Sequence, residues 1–285
     1  MKTSQDKALF EKVVDTLISR KANFLITNGK SYSYDVIAKV KVASDDRKLI
    51  IKISSDVDKI MKNEIVDLAL LSKTANAVPI IIGLFINNKL MSNDVAYRKF
   101  GVIAMNFKSL KNILNGKPIK FIKERGVIKA KVKGWLLRKL REEAGLSLGD
   151  LAEILGVNRK TIYEYERGTF EASERTAKTL MKIFGENILE DVELVPSTSE
   201  LEKHYIKRRV TLGFIKNYLN THEFYTLEKA HAKITAIDVN KGYENYLISD
   251  DSEAKNELIR VAQILDVGVA ITSPEKNEIE FIKEI

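Results

Sequence analysis

The chain has 285 residues, no cysteine, and a formal net charge of +8 at pH 7. This length exceeds that of one typical domain, so we expect two or three compact units. The lack of cysteine excludes disulfides, cysteine nucleophiles and thiolate zinc sites. The excess of Lys and Arg favours a polyanionic partner such as nucleic acid, although a lysine-rich surface also occurs in ordinary soluble proteins.

Metal, cofactor and membrane functions find no support in the sequence. The three histidines, His204, His222 and His231, lack the spacing of metal ligands, and we expect each at the surface or at a helix end. The N-terminal segment has no apolar signal-peptide core, and the longest apolar run, residues 78–86, is too short to span a bilayer. We therefore expect a cytoplasmic protein without metal or cofactor.

The N-terminal part alternates between helical and strand patterns. Apolar residues recur at helical spacing over residues 7–19, and β-rich runs follow, separated by the turn formers Asn28-Gly29 and residues 44–47. The predicted strands are 24–27, 34–42, 49–54 and 78–86, with a helix at 60–74 before the last one. This order predicts an α/β unit.

The C-terminal part repeats the same order. We predict a helix at 205–219, strands at 224–227, 232–239 and 246–249, a helix at 254–265 and a strand at 267–272. Two interpretations remain open, a diverged internal duplication and a convergence of two ordinary α/β patterns. We divide the chain into an N-terminal α/β domain (1–117), a central domain (118–197) and a C-terminal α/β domain (198–285).

A strongly basic stretch opens the central part. Residues 108–141 contain twelve Lys and Arg residues, and Glu124 is their only acidic neighbour. Within this stretch, residues 119–122 and 127–132 predict a β-hairpin with its turn at Gly126. The hairpin is either a solvated ribbon or a phosphate-binding element, with Lys129, Lys131 and Lys133 as contacts.

Residues 147–167, SLGDLAEILGVNRKTIYEYER, predict two short helices joined at a glycine. Ser147 caps the first helix and Asn158 caps the second, while Gly156 supplies a turn that most side chains would strain. The predicted buried positions are Leu148, Leu151, Ala152, Leu155, Ile162 and Tyr165. This pattern predicts a helix-turn-helix.

The motif resembles the XRE family, the helix-turn-helix regulators typified by phage repressors, whose five-helix domain would cover residues 138–185. The longer segment 125–168 is similar to archaeal XRE-type transcriptional regulators. The resemblance implies α/β flanking domains like restriction endonucleases, catalytically degenerate, around a central all-α helix-turn-helix domain. It also implies double-stranded DNA as the partner.

The resemblance further implies which side chains contact DNA. The base readers would be Arg159, Lys160, Tyr163 and Glu164, where Arg159 could bind guanine and Glu164 could accept from cytosine. An equally supported alternative is that Glu164 only orients Arg159 or Lys160.

Contacts with the DNA backbone follow from the same resemblance. Asn158 and Thr161 would lie nearer the phosphates. Leu148 stands where the family usually has a phosphate-binding Gln, so Ser147, the helix N-terminus and the basic hairpin would have to set the register on DNA. Arg141 and Glu166 occupy the positions of a structural ion pair of the family.

The nuclease resemblance does not extend to a complete catalytic set. Restriction-type nucleases need an Asp and a Glu-X-Lys, because carboxylates hold Mg²⁺ and the lysine polarises water. Asp35 and Lys52 match, but Ile50 occupies the Glu position. The C-terminal part offers Asp238, with Leu247 and Ser249 in place of Glu and Lys. We therefore expect no catalytic residues and no enzymatic activity.

We expect a sequence-specific transcriptional regulator that binds an inverted repeat as a homodimer, with dimer contacts from the α/β parts. No effector can be named from the sequence. One alternative is a DNA-processing protein with residual nuclease activity. Another is a protein-interaction module, in which Tyr163 and Tyr165 would contact a protein partner.

Overall fold

The computed structural model describes residues 3–27, 32–196, 198–210, 218–240, 244–250, 255–273 and 278–282. The predicted turn at Asn28-Gly29 lies outside these residues. The chain divides into two compact units. The first contains residues 1–91, 99–116 and 194–285, and the second contains residues 92–98 and 117–193. None of the described helices is both long enough and apolar enough to cross a membrane.

The N-terminal segment of the first unit is a five-stranded sheet with helices. Its elements are α1 (Ser4–Ser19), β1 (Asn23–Ile26), β2 (Val36–Val42), β3 (Asp45–Ile53), α2 (Lys62–Ala75), β4 (Val78–Ile82), the short hairpin β5 (Phe85–Ile86) and β6 (Lys89–Leu90), β8 (Val102–Met105) and α3 (Phe107–Leu114). The strand order is β1-β2-β3-β4-β8, antiparallel up to β3 and parallel from β3 to β8. The predicted α/β architecture is observed.

One predicted strand is interrupted. We expected a continuous strand over 78–86, but β4 ends at Ile82 and the chain resumes extended structure at Phe85. The break occurs at Gly83, where a Cβ atom would lie 2.4 Å from the Val57 side chain. The chain passes too close to Val57 for a side chain at this position, and glycine permits that approach.

The C-terminal segment of the first unit forms a six-stranded sheet. Its elements are α8 (Thr198–Arg208), β12 (Arg209–Val210), β13 (His222–Thr226), β14 (Ile234–Asp238), β15 (Tyr246–Ser249), α9 (Lys255–Leu265), β16 (Gly268–Ser273) and β17 (Glu278–Ile282). The strands follow one another in chain order, and only β15 and β16 are parallel. The helix predicted over 205–219 ends at Arg208, and residues 211–217 lie outside the described part.

The two α/β segments pack against each other within the first unit. Helix α9 contacts β1 and β2, and helix α2 contacts β14. One division between the compact units follows Gly116, and residues 92–98 belong to the second unit, so the domain limits 1–117 and 118–197 stay predictions. The separation of residues 198–285 as a domain of their own stays a prediction, since both segments belong to one compact unit.

One histidine differs from expectation. His231 is buried, whereas we expected a surface or helix-end position. Its Nδ1 shares a hydrogen bond with the Tyr34 hydroxyl, and its Nε2 lies 3.4 Å from a carboxylate oxygen of Glu257. The imidazole is therefore a partnered core side chain, and the packing of the two segments explains its burial.

The second unit combines a small sheet with four helices. Its elements are β7 (Val95–Lys99), β9 (Phe121–Glu124), β10 (Val127–Lys131), α4 (Gly134–Glu143), α5 (Leu148–Leu155), α6 (Arg159–Glu166), β11 (Glu171–Ser173) and α7 (Glu174–Phe184). The strand order is β7-β9-β10-β11. The predicted hairpin is confirmed as β9 and β10, and the two helices of the motif as α5 and α6. Strand β11 was not predicted, and the four-stranded sheet shows that this unit is not the all-α domain that the resemblance implied.

The helix-turn-helix has the predicted glycine turn and a close helix crossing. Gly156 adopts the left-handed conformation at φ 66°, which ends α5. A Cβ atom on Gly134, the first residue of α4, would lie 2.2 Å from the carbonyl oxygen of Glu166. Only glycine allows α4 to begin against the end of α6. The core between these helices includes Leu137, Leu151, Ala152, Leu155, Ile162, Tyr165 and Leu180.

A buried ion pair joins α4 to the end of α6, as predicted. Arg141 Nε donates to Glu166 Oε1 at 2.6 Å and Nη2 donates to Oε2 at 3.2 Å. Both side chains are only 9% exposed. Arg141 Nη1 also donates to the carbonyl of Leu146 at 2.8 Å, so the guanidinium ties together two helices and the loop between α4 and α5. The hydrogen bond to Glu166 is the main cause of the raised pKa of Arg141.

Replacing Glu166 with Ala is expected to lower the free energy of unfolding by on the order of 3 kcal/mol, because it leaves the Arg141 guanidinium buried without its carboxylate. Urea denaturation followed by circular dichroism measures this change. Glu143→Ala is the matched control, since Glu143 pairs with Lys139 at the surface and has no contact with Arg141 among the described residues. The control should cost less than about 1 kcal/mol. Equal losses in the two variants would contradict the burial of the Arg141–Glu166 pair.

Candidate nucleic-acid interface

The N-terminal turn of α6 exposes two cations. Arg159 and Lys160 are exposed, and neither has an ion-pair partner among the described residues. The first turn of α6 contains no acidic residue, and its cap is the neutral Asn158. The partial positive charge of a helix N-terminus therefore adds to the two side-chain charges. This end of α6 suits a polyanion.

Thr161, one of the predicted phosphate contacts, is engaged in the N-terminal cap of α6. Asn158 Oδ1 accepts from the backbone N–H of Thr161 at 2.8 Å and from the Thr161 hydroxyl at 2.9 Å. The Thr161 hydroxyl proton is therefore engaged in capping. The Asn158 Nδ2 hydrogens have no partner in the described part of the chain, and they are the donors that this cap offers to a phosphate.

Further along α6, Tyr163 lies beneath a cation. Its side chain is 47% exposed. The guanidinium of Arg167 lies 5.6 Å from the centre of its ring, within the range of a cation–π contact. Tyr163 and Arg167 therefore form one aromatic and cationic surface patch beyond the first turn of α6.

Glu164 is engaged with the residues that end α6. The Thr169 hydroxyl donates to the Glu164 carboxylate, and the Thr169 N–H donates to the Glu164 carbonyl at 3.1 Å. The side chain has no ion pair with Arg159 or Lys160 among the described residues. The contact with Thr169 differs from both interpretations made from the sequence, base reading and orientation of a neighbouring cation, because Thr169 approaches only after the chain turns at Gly168.

The N-terminus of α5 is closed by an acid. Ser147 Oγ accepts from Asp150 N–H at 3.1 Å, and Asp150 Oδ2 accepts from Ser147 N–H at 2.8 Å. These hydrogen bonds lower the pKa of the exposed Asp150 carboxyl, which stays ionised at neutral pH. A carboxylate at this position repels phosphate, so the arrangement does not favour the phosphate contact expected at Ser147.

Lys129 of the basic hairpin is neutralised by two acids. Its ammonium contacts the carboxylates of Glu171 on β11 and, at 3.0 Å, of Glu124 on β9. The hydrogen bond that Lys129 donates to Glu171 is the main cause of the raised pKa of Lys129. This pairing is not predictable from the sequence, because Glu171 lies far along the chain and reaches Lys129 only through the pairing of β10 with β11.

The ammonium groups of Lys131 and Lys133 are not neutralised by a neighbouring acid in the described part of the structure. Lys131 is exposed and Lys133 is half-buried, and neither forms an ion pair within the described part of the structure. A shallow groove of about 550 Å³ runs between β10 and the segment after α6, lined among others by Val127, Lys131 and Phe170. The hairpin and the end of α6 therefore share one surface.

The nuclease-like segment contains an acid that the sequence analysis missed. Lys52 Nζ lies 3.1 Å from a carboxylate oxygen of Glu64, the third residue of α2. Asp35 lies beside Lys52, because β2 and β3 pair Val36 with Ile51 and the Ile53 N–H donates to Asp35 at 2.6 Å. Ile50 is buried and provides no ligand, but α2 brings a carboxylate to the same lysine.

These acids are already engaged by protein donors. Glu64 accepts from the Met61 N–H at 3.1 Å in addition to Lys52, and Asp35 accepts from Ile53. No group of three or more potential metal-ligating side chains occurs among the described residues. An early acid in the predicted helix 60–74 was the available signal for Glu64, but its proximity to Lys52 depends on the packing of α2 on the sheet.

Comparison with known proteins identifies both parts of the chain. Residues 6–119 match the family model described as a PD-(D/E)XK superfamily domain, and residues 137–190 match the model described as helix-turn-helix. The unit with α4 to α7 is thus an XRE-type helix-turn-helix. A solved HTH_3 family transcriptional regulator from Vibrio cholerae matches at 23% identity over 36% of this chain and 56% of that chain. Its TM-score of 0.16 is too low to support a structural argument.

Several archaeal proteins match over most of their length. A protein of Pyrobaculum aerophilum named "Putative HTH-type transcriptional regulatory protein" is 35% identical, covering 68% of this chain and 77% of the relative. Proteins with the same descriptive name from Thermococcus gammatolerans and Methanocaldococcus jannaschii are 28% and 27% identical, covering 83% and 96% of this chain and 77% and 88% of each relative. The chain belongs to this family of archaeal HTH-type transcriptional regulatory proteins.

Proposed function

We propose that this protein is a sequence-specific DNA-binding regulator of transcription that reads duplex DNA with α6. The exposed N-terminal turn of α6, with Arg159 and Lys160 beside a neutral cap, carries the proposal. The names of the archaeal relatives support it. A basic helix terminus of this kind fits the major groove, where arginine can bond guanine O6 and N7.

Base reading is assigned to Arg159, Lys160 and Tyr163. Arg159 and Lys160 stand at the exposed start of α6, and the Tyr163 ring offers apolar contact to a thymine methyl group. Glu164 is left out of this set, because its carboxylate bonds Thr169. This surface also fits the protein-interaction alternative less well, since Tyr165 is buried in the helix core.

Backbone contacts are assigned to Asn158, Lys131 and Lys133. Asn158 caps the start of α6, whereas Lys131 lines the groove beside the segment that follows α6, and Lys133 precedes Gly134 at the end of α6. In this proposal these donors replace the phosphate-binding Gln that the family usually has at Leu148. The capped and acidic start of α5 takes no part. Phosphate contacts set the register of the protein on DNA without selecting its sequence.

We propose that the working unit is a homodimer on an inverted repeat. One recognition helix spans only a few base pairs, and a single copy cannot provide the roughly 4 to 10 kcal/mol that separates specific from non-specific binding. A dimer with two-fold symmetry places two copies of α6 about one DNA turn apart, near ~34 Å. The dimer contact would use a surface other than the faces that α2, α9, β2 and β14 already bury within the chain.

Arg159→Ala is expected to relax the preference at one symmetric base pair of each half-site, at a cost of about 1 to 3 kcal/mol there, because it removes a bidentate contact with guanine. Binding to a selected site and to its single-base variants, measured by fluorescence anisotropy, tests this. Lys182→Ala, which removes an exposed cation from α7, is the control and should leave the base preferences unchanged. An unchanged preference in Arg159→Ala would remove Arg159 from the base readers.

Replacing Lys131 or Lys133 with Ala is expected to weaken binding to all duplexes alike. Each change should also reduce the slope of log affinity against log salt by about one, because one fewer phosphate is neutralised. Lys129→Ala provides the matched control on the same hairpin. It should change the slope less, since Glu124 and Glu171 already neutralise that ammonium. A larger effect for Lys129→Ala than for Lys131→Ala would refute this division of roles.

A second candidate function is metal-dependent DNA cleavage, which the contact between Lys52 and Glu64 favours. Two carboxylates near a lysine could bind Mg²⁺ and activate water. The hydrogen bonds that Met61 and Ile53 donate to Glu64 and Asp35 weigh against it, because they compete with a metal for the carboxylate oxygens. We propose that the pair of Lys52 and Glu64 now stabilises the fold.

The protein is therefore expected to leave supercoiled plasmid intact in the presence of Mg²⁺ or Mn²⁺. Agarose gels of plasmid incubated with the purified protein provide the measurement. Lys52→Ala and Glu64→Gln serve as matched variants, with melting temperatures recorded to check folding. Nicking by the unchanged protein that disappears in both variants would establish the second candidate.

A further inference from the structure

The two α/β segments of the first unit share one topology. In the N-terminal segment, β1, β2 and β3 are antiparallel neighbours, α2 follows, and β4 pairs parallel with β3. In the C-terminal segment, β13, β14 and β15 are antiparallel neighbours, α9 follows, and β16 pairs parallel with β15. The order of these elements and the directions of these three strand pairs agree. The strands outside them differ, since β4 pairs parallel with β8, β16 pairs antiparallel with β17, and β12 beside β13 has no counterpart beside β1.

Details at the helix ends agree as well. Asn76 after α2 and Asp266 after α9 both adopt the left-handed conformation, at φ 47° and 51°. In each case the next residue donates its N–H to the carbonyl five residues back, from Ala77 to Ser72 and from Val267 to Ala262. A left-handed Asn or Asp is a common end of helices, and here it occurs at equivalent positions of the two segments.

The strand registers then define equivalent residues without reference to sequence similarity. Parallel pairing places Leu49 beside Val78 and Tyr246 beside Gly268. Because Val78 and Gly268 follow Asn76 and Asp266 by two positions, Leu49 is equivalent to Tyr246, and Lys48 to Asn245. The same reasoning through β2 and β14 makes Ser33 equivalent to His231.

The equivalent residues make reciprocal contacts. Lys48 Nζ donates to the carbonyl of Leu265 at the end of α9, and Asn245 Nδ2 donates to the carbonyl of Thr74 at the end of α2. Each segment thus caps the helix of the other. The two helices also pack reciprocally, since α9 packs on β2 of the other segment and α2 packs on β14 of the other segment.

A polar cluster lies where the segments meet. Ser33 Oγ donates to Asp67 on α2 at 2.7 Å, and the equivalent His231 contacts Glu257 on α9. The buried Tyr34 hydroxyl joins the two by its hydrogen bond with His231. The contacts Ser33–Asp67 and His231–Glu257 are equivalent pairs within the two segments. The contacts that cross between the segments, those of Lys48 and Asn245 and those of α9 and α2, have the reciprocal pattern of a two-fold dimer.

We infer that the described residues from 198 to 273 are a diverged second copy of the fold described between residues 4 and 82, and that the two copies dock as two subunits of a dimer do. Within one chain, the C-terminal copy therefore takes the place that a second subunit would have beside the N-terminal nuclease-like copy. This assignment extends the nuclease-like fold beyond residue 119, where the match to the family model ends.

The second copy serves as a supporting partner. The positions equivalent to Ile50, Lys52 and Asp35 hold Leu247, Ser249 and Lys233, which form no carboxylate site. Its main contribution is to hold α2. The fully buried Asp67 accepts from Arg208 at 3.3 Å and from the Glu228 and Lys229 N–H groups at 3.1 and 2.9 Å. The helix held in this way also carries Glu64.

The absence of native cysteine allows a direct cross-linking test. Lys48 and Asp266 approach within 3.7 Å, so Lys48→Cys with Asp266→Cys should be joined by a short bismaleimide within one chain. The reciprocal arrangement requires the same of the equivalent pair, Asn245→Cys with Asn76→Cys. Asn76 and Asp266 are exposed, and Lys48 and Asn245 are partly buried. Circular dichroism checks the fold of each variant.

The expected result is an intrachain product for both double variants in the full-length protein, seen as a shift in gel mobility and by peptide mass. The four single-cysteine variants, mixed in complementary pairs, are the controls and should give no cross-linked dimer. A product for only one double variant would show that the packing is not reciprocal and overturn the inference. Failure of both pairs, or an interchain product in the mixed controls, would overturn it equally.

Discussion

The position of α6 depends on how α4 is held against its end. Gly134 lets the first turn of α4 approach the Glu166 carbonyl, and the Arg141 guanidinium closes on the Glu166 carboxylate in the same place. A recognition helix must be held within a fraction of an ångström for bidentate hydrogen bonds to bases to form. This buried contact lies at the opposite end of α6 from Arg159, so it fixes the helix while leaving its N-terminal turn exposed.

Local neutralisation decides how much of the basic composition is available to DNA. The stretch 108–141 is strongly basic in sequence, yet Lys129 faces two carboxylates, and Arg138 and Lys139 pair with Glu142 and Glu143 one turn later. Only a few cations of the described part, near the start of α6 and on β10, have no neighbouring carboxylate and can contact a polyanion. Net charge therefore supports nucleic acid as the partner, whereas the ion pairs determine which side chains can meet it.

Short-range features of the central domain were predictable, since their physics is local. The caps Ser147 and Asn158, the turn at Gly156 and the hairpin turn at Gly126 follow from side-chain chemistry within a few residues. The pair of Arg141 and Glu166 was predicted from the family resemblance. Each of these features appears at the expected residues.

Features that depend on distant segments were not predictable. Glu171 reaches Lys129 only through a strand of three residues, and Glu64 reaches Lys52 only because α2 lies on the sheet. The burial of His231 requires the two α/β segments to meet. Asp150 is a local exception, because its spacing of three residues from Ser147 forms a capping box that places a carboxylate at the start of α5. Most of the other differences between the predicted and the observed contacts also arise from burial and from pairing between distant segments.

The central claim is that α6 reads a two-fold symmetric DNA site as part of a homodimer. Selection of binding sites from random duplexes, followed by light scattering of the complex with the selected duplex, tests it most directly. The account predicts an inverted repeat with half-site centres about 10 base pairs or a multiple of it apart, bound by two chains. A non-palindromic site bound by a single chain would contradict it.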